Sequence, residues 1–289
     1  GKLWKMVPIE FSRGCPFKCT FCSAPVFEEE FKDVGTWSRS KPIDLIEKEM
    51  KYYINEYGVE YFYFVSETFL AMPNKRFYDF CKMYEKIGLP FWFNTRPETI
   101  REKKVKMLEN INCHRMSIGI ESGNHEYART MLLRNATIEQ IINACRLVDA
   151  SSIELSVNNV VGFPDETRDM MFDTIKLNRQ FQANSHSCAI FQPYHGTTLH
   201  SYCVKKGYFD ITPKESIADG GVNFENAYGQ SNYASYKELV AEYTQNDVPA
   251  LKEEVFLINP DNYRRSIVYE LISTEFTEGN KKEYATTWE

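Results

Sequence analysis

The chain has 289 residues, 43% of them hydrophobic, which suits one large domain or two small ones. Its 34 basic and 40 acidic residues leave a net charge of −6, which argues against a fold-wide nucleic-acid footprint, and no apolar run reaches the ~20 residues of a membrane span. Eight cysteines without a signal-peptide core point to a reducing, cytoplasmic setting, where clustered thiols serve as metal ligands rather than disulfides.

The sequence opens on Gly1 rather than Met, as expected of a processed or excised chain. Met6–Phe11 reads as a strand that runs into a cysteine-rich loop. Residues 42–57 carry apolar side chains at helical spacing (Ile43, Leu45, Ile46, Met50, Tyr53, Ile54), and Gly58 supplies the stop. Tyr61–Val65 is a buried strand, Lys75–Ile87 a helix, Pro90–Asn94 a strand and Thr99–Leu108 a helix. The alternation continues with strands over Met116–Ile120, Ile153–Val161 and Cys188–Gln192. The helices between and after them span Ile138–Asp149, Arg168–Phe181 and Thr198–Lys206.

Six βα units with short connections imply a parallel sheet in an α/β fold, and a partial (β/α)6 TIM-like barrel over residues 1–222 is the preferred architecture. Periodicity alone does not separate it from an open doubly wound sheet. In a barrel the loops after the strands carry the chemistry. Cys15, Glu67, Arg96, Glu121, Gly162 and Tyr194 all fall at or just past a predicted strand end. Residues 223–289 read as a mostly helical extension, helical near Tyr236–Leu257 and ending in a charged tail.

Cys15, Cys19 and Cys22 are spaced C-x3-C-x2-C. A structural zinc site wants four ligands, usually as two pairs, and no second C-x2-C exists here. A simple electron-carrying four-iron cluster takes four cysteines. Three leave one iron open to an outside ligand. Cys81, Cys113, Cys145, Cys188 and Cys203 are isolated and read as small core residues.

The spacing, with Phe21 before the third cysteine, resembles the radical S-adenosylmethionine (radical SAM) superfamily. The segments SRGCPFKCTFCSAPVF, RSKPIDLIEKEM, FVSETF, NTRPE, CHRMSIGIESGN and VVGFPDET resemble its branch that often carries a cobalamin-binding domain. The resemblance covers roughly Pro8–Leu199. It implies a [4Fe–4S] cluster whose open iron chelates the amino and carboxylate groups of S-adenosylmethionine. Reductive cleavage then yields a 5′-deoxyadenosyl radical that abstracts hydrogen, in an oxygen-sensitive enzyme. Two departures stand out. Ser66-Glu67-Thr68 replaces an Asp-rich turn after the second strand, and His195 stands where P-x-P-G-T has its second proline.

The resemblance also implies roles. Phe21 belongs to the cofactor loop. Ser66 and Glu67 would meet the methionine ammonium, although they also suit a helix cap. Glu121 and Ser122 would bind the ribose hydroxyls, and Arg134 the methionine carboxylate, unless it is a solvated helix residue. Asn94 and Arg96 would face the co-substrate or the substrate, or cap the next helix. Gly162 and Phe163 resemble the turn that approaches adenine. Tyr194 and His195 are substrate-side candidates, while His114 and His125 read as structural.

The expected substrate is a small molecule or natural product, with a one-electron reductant such as flavodoxin or ferredoxin and with neither nucleic acid nor membrane as partner. No histidine has Asp two residues before it, so the D-x-H-x-x-G cobalamin motif is absent, and no α/β domain precedes Cys15. Three readings stand side by side: a cobalamin domain lost by excision, cobalamin supplied by a separate protein, or a cobalamin-free isomerase or oxidoreductase. A non-catalytic Fe–S electron-transfer protein is the alternative from another class, and it leaves Glu67, Glu121 and Gly162 unexplained.

Overall fold

The computed structural model describes residues 3–208. The expected boundary at 222/223 and the helix near Tyr236–Leu257 lie outside the described residues. Six strands form one parallel sheet: β1 (Met6–Glu10), β2 (Tyr61–Val65), β3 (Phe91–Thr95), β4 (Cys113–Glu121), β5 (Glu154–Val161) and β6 (Ser185–Ile190). They pair strictly in chain order. A doubly wound sheet reverses its order at a switch point. Here nothing reverses, so each right-handed crossover lays its helix on the same face and the sheet curls with its other face inward. This is the partial barrel.

The crossover helices are α2 (Ile43–Tyr57), α3 (Asn74–Tyr84), α4 (Glu102–Asn110), α6 (Ile138–Asp149) and α7 (Arg168–Asn178), and α8 (Thr198–Lys206) follows the last strand. Two short helices, α1 (Ala24–Glu30) and α5 (His125–Thr130), follow the cysteine loop and β4. Gly58 ends α2 with φ 62°, a left-handed stop, and Thr137 with Gln140 forms a capping box on α6. Among the described residues no helix is long and apolar enough to cross a membrane.

Side-chain alternation divides the two faces of the sheet. On β3, Phe91, Phe93 and Thr95 are buried, while Trp92 and Asn94 line the lumen. On β5, Leu155, Val157 and Val161 are buried, while Glu154, Ser156 and Asn158 line the lumen. The outer layer is an aromatic core. The Phe64 ring lies 5.7 Å from Phe11, 5.2 Å from Phe80 and 5.4 Å from Phe91, all edge-on. The lumen holds a cavity of about 740 Å³ walled by aromatic, hydroxyl and amide groups and, at the strand starts, by His114, Arg115 and Glu154.

Where the structure departs from periodicity, the reason is local. β6 begins at Ser185 rather than Cys188 because Ser185 and Ser187 face away from the core and break the apolar run. The expected helix from Thr99 becomes a 3-10 turn over Pro97–Thr99, an extended Arg101 and then α4. Helices α1 and α5 have 7 and 6 residues, too short to display a 3.6-residue period.

Phe64 is fully buried. Truncation to Ala removes a ring with four edge-on aromatic neighbours and leaves a cavity. Guanidinium denaturation of F64A should show a loss of about 3–5 kcal/mol with an unchanged slope. A loss below about 1 kcal/mol would mean the ring is not in a packed core.

Candidate active site

The loop after β1 is held before any ligand is considered. Gly14 takes φ 94° and packs against the Ser38 backbone, where a side chain would collide. That contact adjoins a short antiparallel ribbon pairing Ser12–Arg13 with Arg39–Ser40. Further along, Thr20 N–H donates to Leu132 O at 3.3 Å, and Leu199 N–H donates to Thr20 O at 3.0 Å. The loop is therefore tied both to the segment after β4 and to α8.

Its three cysteines are free thiols, Cys19 buried and the other two half-buried. Each sulfur has a polar neighbour. Thr68 Oγ1 lies 3.5 Å from Cys15 Sγ, and Ala24 N–H donates to Cys22 Sγ at 3.5 Å. Cys19 Sγ accepts from Arg96 Nη1 at 3.0 Å and faces Arg134 Nη1 at 3.8 Å. Burial pushes the Cys22 thiol up, and the charges of Cys19, Cys15 and Glu121 add to that. The remaining cysteines differ in kind. Burial pushes Cys81, Cys145 and Cys188 up to about 12, so they stay protonated and apolar at neutral pH.

Among the described residues, no three His, Cys, Asp or Glu side chains converge on a single ion. A four-iron cubane asks for something different, three thiolates each bound to its own corner. The donor set fits it: three thiols in one loop, with a hydroxyl, an amide and guanidinium groups beside the sulfurs. These neighbours suit thiolate acceptors better than packed thiols.

The end of β4 supplies a carboxylate. Its register with β5 shifts between Gly119 and Glu121, and Glu121 takes φ 69°, rare for a residue with a side chain. The carboxylate turns back over Gly119, 3.7 Å from Arg134 Nη1, while Arg134 Nη2 donates to Gly119 O. Burial raises the Glu121 carboxyl, against the pull of Arg134 and Arg96. Helix α7 fixes the turn that follows. Gly123 N–H donates to Thr174 Oγ1 at 2.8 Å, Asn124 Nδ2 donates to Asp173 Oδ2 at 2.9 Å, and a side chain at 123 would strike the α7 backbone. Ser122, almost fully buried, accepts from Asn124 N–H at 3.3 Å.

The other expected site residues sort into three groups. Ser66 is buried and hydrogen-bonded to Ser12 Oγ at 2.7 Å, whereas Glu67 is exposed. Phe21 packs at a tilt against Phe163, ring centres 5.4 Å apart, and the Phe163 ring also meets Phe191. Gly162 takes φ 76°, and the backbone N–H groups of Gly162 and Phe163 both donate to the Glu166 carboxylate. Asn94 Nδ2 donates to Tyr63 OH at 2.8 Å on the lumen wall. Tyr194 and His195 are exposed, with the His195 ring 4.9 Å from His200.

Arg96, read from sequence as facing the co-substrate or the substrate or as capping the next helix, lies only 5% exposed and turns to Cys19 in the cysteine loop. Burial opposes its charge, but the Glu98 hydrogen bonds and the nearby Cys19 and Cys15 hold the guanidinium above its ordinary value. Burial likewise opposes the Glu98 charge, and Arg96 overrides it, holding that carboxyl low.

Three residues at the site carry no motif signal of their own. Thr68 reaches Cys15, Glu98 grips Arg96, and Phe17 covers the Arg96 guanidinium at 3.8 Å. Only their positions inside the segments SRGCPFKCTFCSAPVF, FVSETF and NTRPE could have pointed to them.

A family model described as the Radical SAM superfamily matches residues 9–177. The chain is 29% identical over 195 residues to an uncharacterized methyltransferase of Pyrococcus horikoshii, covering 67% of this chain and 41% of that protein. It is 26% identical over 194 residues to the anaerobic magnesium-protoporphyrin IX monomethyl ester cyclase of Cereibacter sphaeroides, covering 65% and 30%. The chain thus spans less than half the length of these curated relatives. Its fold resembles that of TsrM from Kitasatospora setae, a radical S-adenosylmethionine methyltransferase solved with cobalamin and a [4Fe–4S] cluster bound. The TM-score is 0.58 at 16% identity, over 75% of this chain and 43% of that one.

Changing Cys15, Cys19 or Cys22 to Ala should abolish the iron–sulfur absorption of the anaerobically reconstituted protein, because each thiolate is a bonded ligand. Changing Cys81 or Cys145 to Ala should leave iron content intact. The reverse pattern would contradict the assignment.

Proposed function

The chain belongs to the radical S-adenosylmethionine superfamily, and from that membership we propose that it is the catalytic unit of an enzyme acting on a C–H bond of a small organic substrate. Cys15, Cys19 and Cys22 would hold a [4Fe–4S] cluster, which when bound supplies the single electron for cleavage of S-adenosylmethionine. The observation that carries this reading is the meeting at Cys19, where a ligand thiol, the Arg134 guanidinium and the Glu121 carboxylate converge at the strand ends.

The zwitterionic head of S-adenosylmethionine needs a cation and acceptors. Arg134 holds Glu121 only loosely at 3.7 Å and Cys19 Sγ at 3.8 Å, while Nη2 also donates to Gly119 O, so a carboxylate would take the N–H groups that these long contacts leave weakly used. Glu121 and Ser122 would then accept from the ribose hydroxyls, and Ser66 with Glu67 from the ammonium. Phe21 and Phe163 offer an apolar shelf at the adenine side. Glu166 occupies the N–H groups of Gly162 and Phe163, so contact there would be through ring faces and carbonyls.

The lumen gives the substrate room. Its volume of about 740 Å³ falls within the range of small-molecule sites. The cavity runs from the strand starts at Tyr61, His114 and Glu154 to Trp92, Asn94 and Ser117 in mid-sheet, so a substrate held there would have to extend to the strand-end rim to meet the radical. Tyr194 and His195 would border the substrate from the loop after β6. A one-electron reductant such as flavodoxin or ferredoxin would serve the cluster. Similarity to proteins named methyltransferases favours methyl transfer assisted by cobalamin, and similarity to a protein named a cyclase favours a second reading without methyl transfer.

Reconstituted protein with reductant and S-adenosylmethionine should release 5′-deoxyadenosine, accompanied by S-adenosylhomocysteine if a methyl group is transferred. Absence of any nucleoside product would leave an electron-transfer protein. Glu121→Gln should weaken S-adenosylmethionine binding by tenfold to a hundredfold, from a loss of about 1.5–3 kcal/mol, without loss of iron. Unchanged affinity would remove Glu121 from the cofactor site.

A further inference from the structure

We infer that Arg96 is a positioning residue of the iron–sulfur cluster, directing a charged hydrogen bond at the Cys19 sulfur and thereby raising the cluster's reduction potential. The inference rests on the reading of Cys15, Cys19 and Cys22 as cluster ligands.

Four contacts fix the guanidinium. Nε donates to Glu98 Oε2 at 3.2 Å and Nη2 to Glu98 Oε1 at 2.5 Å, a fork on a carboxylate two residues along the chain. Nη1 donates to Cys19 Sγ at 3.0 Å. The Phe17 ring, from the loop between Cys15 and Cys19, covers the flat face at 3.8 Å. The group is buried, and Glu98 orients it so that its remaining edge meets the sulfur.

The three sulfurs are treated unequally. Cys15 faces a neutral hydroxyl at 3.5 Å and Cys22 a neutral backbone amide at 3.5 Å. Cys19 faces Arg96 at 3.0 Å and Arg134 at 3.8 Å. Arg134 is also the fork offered to a carboxylate above, so its charge is shared when S-adenosylmethionine binds. Arg96 is committed to the loop through Phe17 and Cys19 alike. Adding one electron from the external reductant increases negative charge on the cluster and its sulfurs. A fixed cation and an aimed N–H stabilise that state more than the oxidised one, so they raise the potential. Glu98 offsets part of this effect while holding the geometry.

The test is an anaerobic redox titration of the reconstituted full chain, followed by electron paramagnetic resonance, with iron content measured on each sample. Arg96→Gln should retain about four irons per chain. At a fixed potential near the midpoint, its ratio of reduced to oxidised cluster should fall about tenfold, equal to a downward shift of 59 mV for one electron. Arg96→Lys, which keeps the charge, should recover most of that shift. Glu98→Gln should move the midpoint upward.

A purely structural clamp would lower iron content in these variants and leave the midpoint of the loaded fraction unchanged, which would overturn the inference. If Arg96→Gln cannot be loaded, Glu98→Gln decides: an upward shift supports the inference and an unmoved midpoint rejects it. Failure of the unaltered chain to take up a cluster would overturn the cluster reading itself. A loaded chain whose variants titrate alike would overturn this inference alone.

Discussion

Four acidic groups, three thiols and the Glu121 carboxyl, are gathered at the mouth of the barrel. Three thiols share one short loop; burial pushes the Cys22 thiol up, the Ala24 N–H opposes it, and the Glu121 carboxylate adds a smaller upward push. Two guanidinium groups, Arg96 and Arg134, stand against that charge, and both reach Cys19. Removing either cation would leave buried anions unbalanced, which is costly. Arg96 comes from the turn after β3, and Arg134 from the segment that follows α5. The cysteine loop is therefore held in place by elements far away in sequence.

The barrel makes this possible by keeping its faces chemically separate. The outer face packs phenyl rings against the helices, and stability resides there. The inner face carries Asn94, Ser117, Ser156 and Asn158, side chains that do not compete for the core. Strictly sequential strand order delivers every strand end to one rim, so carboxylate, guanidinium and thiol meet without a second domain. The strained backbone of Glu121 is affordable because α7 fixes the following turn through Thr174 and Asp173.

Family membership was readable from the cysteine spacing because ligand chemistry restricts both residue type and separation. The βα alternation was readable because strands and helices bury apolar side chains with different periods, and Tyr61–Val65 appears with the bounds its pattern implies. Strand order was not readable, since periodicity carries no information about neighbours. The start of β6 was hidden by serines facing away from the core, and α1 and α5 by their length. The contacts of Arg96 were hidden for another reason. An arginine after a strand has the same local signature whether it faces a substrate, caps a helix or turns to a thiol 77 residues away in the chain.

The central claim is that the three-cysteine loop leaves an iron open and that S-adenosylmethionine binds it beside Glu121 and Arg134. Electron–nuclear double resonance on the reduced protein tests this directly, using S-adenosylmethionine labelled with 15N in its amino group and 17O in its carboxylate. The account predicts hyperfine coupling of both nuclei to the cluster spin. Bound S-adenosylmethionine with neither nucleus coupled would contradict it.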